Sequence, residues 1–588
     1  MNILNRITLL IIILLTSCKV NNNIIYIKDK VSSDAIKSYN YSDIVFSPVY
    51  SKNAMVVSES KIASDIGLSI LKRGGNAIDA AVAVGFALAV LLPHAGNIGG
   101  GGFMLYYNTN DKKVRAIDFR EVAPYLASRD MFLDKDSNII EGKSIYSHYA
   151  VGVPGTVAGL EYAWKKWGSL KWEDLVSPAI EIAKKGYKIS FNLSNKLKSE
   201  SLKMGKWKST EDIFWKNGKP LEKGELLIQK DLANSLFLIS KEGSKAFYKG
   251  KIAKKIVEEM HNHNGLISLK DLADYKVIER NPIVGTYKGY TIFSMPPPSS
   301  GGIHIVQILN ILDNYPIEKF GHNSAKTIHY MVEAMKYAYA DRSFYLGDSD
   351  FVHVPVDSLI SKEYANIISN RISANNVTAS INISHGNFKL RDSSHNETTH
   401  FSIIDKNGNC ISLTYTLNTN FGSGIVAKGT GILLNNEMDD FSVKPLAVNV
   451  YGLIGSSNNA IESGKRPLSS MSPTIVFNGD KPFLITGSPG GSRIITTVLQ
   501  TIINAIDFKL NAAENLNSLR FHHQWFPDEI VLEKDFNKDT IDLLVKQGYK
   551  VSNKGEGVIG KAQIIKINSN SIEGYSDLRN SDGSAVGY

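Results

Sequence analysis

Cysteine is nearly absent, with Cys18 and Cys410 alone in 588 residues. A disulfide framework is thereby excluded, and without a CxxC pair there is no thiolate zinc signature. The HExxH, P-loop and GxSxG patterns are missing too, which leaves zinc-protease, nucleotide-phosphate and ordinary serine-hydrolase chemistry without a motif. Long apolar runs are scarce: Ile7 to Leu15 and Ala77 to Leu92 both fall short of a bilayer span. Lys and Arg outnumber Asp and Glu by 66 to 57, for a formal charge of +9, yet the excess is thinly spread. Short clusters such as Lys184-Lys185 and Lys254-Lys255 read as a solvated basic surface. No basic run with interleaved aromatics points to nucleic acid.

At the amino terminus, Arg6 precedes an apolar run that closes in Leu15-Thr16-Ser17-Cys18. A positive start, a short apolar stretch and a small residue before the cut describe a secretory signal. Leu15 to Cys18 also resembles the bacterial lipobox, which makes Cys18 the expected lipidated first residue of the mature chain. The expectation is an exported lipoprotein of the bacterial periplasm or cell envelope, anchored to a membrane. Residues 1–18 are its signal, and the Asn- and Ser-rich stretch 19–50 is a polar tether. Cys410 then lacks a disulfide partner, and with neither a base nor metal-ligand spacing beside it, it reads as a small residue at a hairpin end.

Chemistry concentrates between Thr398 and Ser442. From His400 to Ile404 and from Ile411 to Leu417, apolar residues alternate with Ser, Thr and His at the period of a half-buried strand. Between them lies the hairpin turn Asp405-Lys406-Asn407-Gly408-Asn409. A two-residue loop at Asn407-Gly408 would pair Thr398 with Leu417, whereas a three-residue loop with Gly408 left-handed would pair it with Thr416. Both registers stay open. The second gathers Thr398, His400, Ser402, Ser412, Thr414, Thr416 and Asn418 on one surface.

A threonine hydroxyl is a poor nucleophile without a base, and a chain that begins with threonine carries one in its α-amine. Thr398 is the candidate nucleophile on these terms, provided the Glu397-Thr398 bond breaks. The preceding Arg391 to Glu397 is polar and lacks apolar periodicity, as an exposed cleavable linker would. Taken alone, a Thr-Thr start also suits an ordinary polar-faced strand.

Elsewhere, Ser58 to Lys72 carries a helical period that stops at Gly74-Gly75, and Ala77 to Leu92 follows as an almost wholly apolar core helix. The glycine run from Asn97 to Phe103 lacks a following Lys-Ser/Thr, so close packing into the strand Phe103 to Tyr107 is expected. A strand from Val114 to Phe119 delivers Arg120. Helices are expected over Trp172 to Lys185, Asp231 to Lys241, Ile252 to His261, Ile303 to Leu312 and, as an amphipathic one, Thr327 to Arg342. Tyr287 to Pro296 and Pro482 to Ile485 read as strands. The second leads to Gly490-Gly491, ahead of a helix from Ile494 to Ile506; adjacent glycines let backbone N–H groups approach a reacting carbonyl. Asn435 to Phe441 gathers three acids without EF-hand spacing.

TTHFSIIDKNGN, TYTLNTNFGSG, GILLNNEMDDFS, RPLSSMSPTI and TGSPGGSRIITT, in this order and spacing, resemble the small subunit of the γ-glutamyltransferases, of the N-terminal-nucleophile hydrolase class. Upstream, IGGGGFMLYY, IDFREVAP, VGVPGTVAGL, MPPPSSGGIHIVQILNIL and FYLGDSDF resemble the same family's large subunit. The resemblance implies an α+β fold, a four-layer αββα sandwich built as one intertwined precursor. That precursor cuts itself before Thr398 into a large subunit, 51–397, and a small catalytic one, 398–588, which remain together as a heterodimer. Arg120, Ser469 and Ser470 are then expected on a substrate α-carboxylate, and Asn418, Glu437 and Asp440 on its α-ammonium. Thr416 would orient the nucleophile, Gly490 and Gly491 would face the oxyanion, and Tyr451 would sit on a lid loop. The implied activity transfers the γ-glutamyl group of glutathione and related γ-glutamyl compounds to water, an amino acid or a peptide, with no metal and no cofactor. A related acylase acting on β-lactam side chains or poly-γ-glutamate, and a non-catalytic surface lipoprotein, are the alternatives.

Overall fold

Fourteen strands from distant parts of the sequence assemble into two antiparallel sheets of seven. In the computed structural model, which describes residues 46–383, 398–444, 447–552 and 558–588, these are β1 (Val49–Ser51), β2 (Met55–Ser58), β3 (Gly101–Asn108), β4 (Lys113–Phe119), β5 (Ile278–Arg280), β6 (Ile283–Tyr287), β7 (Tyr290–Ser294), β8 (Thr399–Ile404), β9 (Cys410–Thr416), β10 (Thr474–Asn478), β11 (Lys481–Gly487), β12 (Gln563–Ile567), β13 (Ile572–Ser576) and β14 (Ser584–Gly587). One sheet runs β1-β13-β12-β11-β10-β7-β6, the other β14-β2-β8-β9-β3-β4-β5. Each sheet combines strands from before and after residue 398, and 48–588 is one compact unit. Cys18, most of the expected tether and Glu397 lie outside the described residues.

Helices α1 (Lys61–Lys72), α2 (Ala77–Leu91), α3 (Thr156–Trp167) and α4 (Trp172–Lys185) cover the outer face of the sheet that holds β8 and β9. Phe401, Ile403, Ile411, Leu413 and Tyr415 point into that core. Helices α5 (Gly301–Leu312), α6 (Ala325–Tyr345) and α7 (Arg493–Ile506) share a second core with Ile292, Ile475, Leu484, Ile485 and Ile564 of the other sheet. The layers are therefore αββα. Burying a Leu, Ile or Phe side chain in such a core is worth about 1.5–3 kcal/mol.

Local signals fix several elements. Helix α2 is apolar all round and buried along its whole length, and it starts in a capping box between Asn76 and Asp79. Asp405, in the β8-β9 turn, reaches across to accept the Ala77 N–H at 2.9 Å, so the hairpin and the helix start are tied together. Gly408 has φ +85° and closes a three-residue loop, which pairs His400 with Thr414 and brings Thr398 opposite Thr416.

Four expectations are corrected. Strands β8 and β9 are buried on both faces, not half-buried, because the polar face lies against the second sheet. There Ser412 Oγ donates to the Thr486 carbonyl at 2.9 Å and accepts the Thr474 N–H at 3.0 Å. Ser58 ends strand β2, and the helix begins only after its N-cap Ser60. The single strand expected over Tyr287 to Pro296 is one arm of the hairpin β6-β7, which turns between Tyr287 and Tyr290. Helix α6 is buried over most of its circumference, since it packs inside the layer as well as on the sheet.

Candidate active site

Thr398 stands at the start of β8, only 3% exposed, and its hydroxyl donates to Thr416 Oγ1 at 3.3 Å. Thr416 Oγ1 also accepts the Asn418 N–H at 2.8 Å, which fixes the end of β9. His400, two residues on, is not available as a base: its ring bonds Thr414 at 2.8 Å and Ser402 at 3.1 Å, between the sheets. Burial pushes it down to about 3, so it stays neutral.

Thr398 and Thr416 open into a cavity whose walls also carry Arg120, Arg342, Asn418, Glu437, Asp440, Tyr451, Leu453, Ser469, Ser470, Met471, Gly491 and Ile494. Every site residue expected from the sequence and described here lines it, except Gly490, which adjoins it. Gly490 and Gly491 have φ +136° and +53° and lead into α7, so both occupy backbone conformations that favour glycine. The Tyr451 hydroxyl donates to the Asn418 carbonyl at 2.6 Å and also bonds its Oδ1, which makes Tyr451 a buried wall of the cavity.

Charge is distributed unevenly. Arg120, delivered by the end of β4, places one Nη on Glu437 and the other on Asp440 Oδ2 at 2.6 Å, with Glu121 Oε2 at 3.6 Å. Burial works against the Arg120 charge, but Glu437, Asp440 and Glu121 together hold it above the ordinary arginine range. One guanidinium thus faces three buried carboxylates. Burial pushes Glu437 and Asp440 up from the carboxylate range against the pull of Arg120, and Glu121 up to about 7. Glu437 Oε2 and both Glu121 oxygens make no hydrogen bond. This end of the cavity is short of a cation, and an ammonium group would supply it.

Arg120, expected at the carboxylate end, lies against the acids expected at the ammonium end. It is ion-paired to them, and the serine pair has a different cation. Arg342, in the last turn of α6, donates to Ser470 Oγ at 3.3 Å and to Ser300 Oγ at 3.0 Å. Ser300 in turn donates both its N–H and its hydroxyl to the Ser469 carbonyl, each at 2.8 Å, so the Pro296 to Gly302 turn clasps the serine segment. Arg342, Leu453, Met471 and Ile494 escaped the sequence reading. Arg342 is the last residue of its expected helix, where a charged residue reads as solvent-facing.

Among the described residues, His148, Glu259 and His263 are the one group with metal-ligand chemistry, and they lie outside the cavity. The two imidazoles are stacked at 4.5 Å with an 8° interplanar angle. Glu259 Oε1 bonds the His148 ring at 3.1 Å, the Glu259 backbone carbonyl bonds the His263 ring at 3.1 Å, and Glu259 Oε2 accepts the Lys428 N–H at 3.2 Å. Cys410 is a buried free thiol at the hairpin end, pushed up well above its ordinary range by burial.

Comparison with known proteins gives a consistent pattern. The sequence model of the family described as Gamma-glutamyltranspeptidase matches residues 63–587. A glutathione hydrolase proenzyme of Escherichia coli K12 is 52% identical over 553 residues, covering 94% of each chain. The crystal structure of a cephalosporin acylase from Bacillus halodurans superposes with a TM-score of 0.80 at 28% identity, covering 92% of this chain and 97% of that one. The Helicobacter pylori gamma-glutamyltranspeptidase structure gives a TM-score of 0.55 at 47% identity, with 57% of this chain and 96% of that chain covered.

Proposed function

The chain belongs to the gamma-glutamyltranspeptidase family, and on that premise we propose that it is a glutathione hydrolase whose nucleophile is Thr398, exposed by self-cleavage after Glu397. The observation that carries this is the placement of the Thr398 hydroxyl, held by Thr416, in the same buried cavity as the acid-rich Arg120, Glu437, Asp440 cluster.

In maturation the Thr398 hydroxyl attacks the Glu397 carbonyl carbon, and the peptide nitrogen leaves as the Thr398 α-amine. Water hydrolyses the resulting ester and frees the hydroxyl. In turnover the α-amine takes the hydroxyl proton as Thr398 attacks the γ-carbonyl of glutathione. Gly490 and Gly491 N–H groups stabilise the tetrahedral oxyanion, a contribution of about 3–4 kcal/mol for one such donor in a hydrolase. The proton passes to the leaving amine of cysteinylglycine, and the γ-glutamyl ester on Thr398 is resolved by water or by the amine of an amino acid or peptide. Glu437, Asp440 and Asn418 hold the α-ammonium, which fixes the γ-carbon over the hydroxyl. Tyr451 keeps Asn418 in place.

The word proenzyme in the relative's name supports a processed precursor. So does the Helicobacter pylori chain, which is covered almost fully yet matches little more than half of this one. Because both sheets draw strands from either side of residue 398, the pieces 51–397 and 398–588 would stay interlocked as a heterodimer. The likeness to a cephalosporin acylase favours an acylase as second reading, but three carboxylates around one guanidinium suit the ammonium of an amino-acid head, which an acyl chain without an amine does not supply.

Export and lipid attachment at Cys18 belong to the same proposal, resting on Arg6, the run Ile7 to Leu15 and the Leu15 to Cys18 sequence. Membrane fractionation and N-terminal mass of wild type beside Cys18→Ser test it; equal release of both into the soluble fraction would end it. The activity is tested by incubating purified protein with glutathione and following glutamate and cysteinylglycine by mass spectrometry. Both products are expected. A matured protein that spares glutathione but deacylates a glutaryl β-lactam would favour the acylase.

A further inference from the structure

Tyr339, in α6, is 2% exposed and stands behind the cavity wall, and its hydroxyl donates to the Ser492 carbonyl. Its ring stacks on His304 of α5 with centroids 6.2 Å apart and meets His522 edge-on at 5.9 Å. Burial pushes the phenol up from its ordinary range and brings His304 and His522 each down to about 3. Tyr339 is therefore held as an O–H donor between two neutral imidazoles.

Ser492 closes the turn that joins β11 to α7 and contains Gly490 and Gly491. Two consecutive glycines at positive φ give that turn little stiffness of its own, so its shape depends on what holds it. At the entry, Ser488 Oγ accepts the Lys561 N–H at 3.0 Å and donates to the Pro489 carbonyl at 2.7 Å. At the exit, the Arg493 N–H donates to the Gly490 carbonyl at 2.9 Å. That N–H belongs to the same planar peptide as the Ser492 carbonyl, which Tyr339 holds. The Gly490 carbonyl in turn shares a peptide with the Gly491 N–H, which points the opposite way. We propose that Tyr339 is a positioning residue for the oxyanion donor Gly491: its hydroxyl orients the Ser492-Arg493 peptide, which holds the Gly490 carbonyl and so aims the Gly491 N–H at the reacting carbonyl. A residue from before the cleavage point thus shapes the oxyanion turn that lies after it. This rests on the reading of Gly490 and Gly491 given above.

Tyr339→Phe keeps the ring between His304 and His522 and removes only the hydroxyl. On γ-glutamyl-p-nitroanilide the matured variant should lose about tenfold in kcat, with KM within about threefold of wild type, as expected for an interaction realised in the transition state. The discriminating probe is a γ-boronic acid analogue of glutamate. Its boron bonds the Thr398 oxygen, the hydroxyl proton passes to the α-amine, and the adduct is a tetrahedral anion. Glutamate itself forms no such adduct. Tyr339→Phe should bind the boronic acid about tenfold more weakly and glutamate less than about twofold more weakly. Equal weakening of both inhibitors, the result of a merely structural role, overturns the proposal, and so does an unchanged kcat. If Tyr339→Phe does not mature, Tyr339→3-fluorotyrosine, a stronger donor of nearly the same size, should widen the preference for the boronic acid over glutamate; an unchanged preference there overturns the proposal too. A wild type inactive on the anilide would instead sink the γ-glutamyl reading itself.

Discussion

Replacing Thr416 with valine separates orientation of the nucleophile from packing around it. The side chains have similar volume, but valine removes the oxygen that accepts the Thr398 hydroxyl at 3.3 Å and the Asn418 N–H at 2.8 Å. Asn418 is 1% exposed, so its N–H loses an acceptor where water does not replace it, at a cost of about 1–3 kcal/mol. The Thr398 hydroxyl loses one orienting bond of about 1–1.5 kcal/mol, which is about five- to tenfold in rate. Self-cleavage of Thr416→Val should therefore slow by about tenfold, while Thr416→Ser stays near wild type. Gel densitometry of precursor and fragments over time gives the rates. Denaturant unfolding of Thr416→Val on a Thr398→Ala background gives the stability term free of cleavage. Lower stability with wild-type cleavage would show that Thr416 only supports the strand, and would refute the orienting role.

Two further predictions concern stability. A methyl at Gly487 would sit 2.4 Å from the His400 ring, between two sheets that cannot part locally, so Gly487→Ala should lose about 1–3 kcal/mol by overpacking, seen as a lower denaturation midpoint. Gly487→Ala at wild-type stability would mean the sheets are more loosely packed here. Asp439 is pushed up to about 6 by burial, although Ser144 and the Val450 N–H bond its carboxylate. The folded state then holds a proton that the unfolded chain releases near pH 4, so the stability tied to Asp439 falls as pH rises from about 4 through 6, by the order of 3 kcal/mol. Unfolding midpoints of Thr398→Ala with and without Asp439→Asn, at pH 5 and 7.5, should show a shallower pH dependence for Asp439→Asn. Parallel curves would contradict the shift.

Much of the architecture was legible because local patterns and tertiary environment agree. Helix α4 spans the expected Trp172–Lys185, and the apolar helix after Gly74-Gly75 is the buried α2. The turn residues Asn407-Gly408 allow either loop length, so the register awaited the structure; β8 and β9 chose the one that sets Thr398 against Thr416. Their polar face reads as a wetted one, because the strands that cover it, β10, β11 and β12, lie some distance along the chain and carry no local signal. The same holds for Arg342. Helical periodicity places it at an amphipathic helix end, and only the packing of α6 against α5 and the Ser469-Ser470 segment turns it inward. Arg120, Glu437 and Asp440 come from segments more than three hundred residues apart, and the resemblance supplied their assembly, while their direct ion pairing was visible only in three dimensions.

The central claim is that Thr398 becomes an N-terminal nucleophile. Intact mass and N-terminal sequencing of purified wild type beside Thr398→Ala test it most directly. The account predicts a wild-type fragment that begins at Thr398 and is missing from Thr398→Ala. A wild type that stays one chain, or one cut elsewhere, would remove the α-amine base and contradict the mechanism.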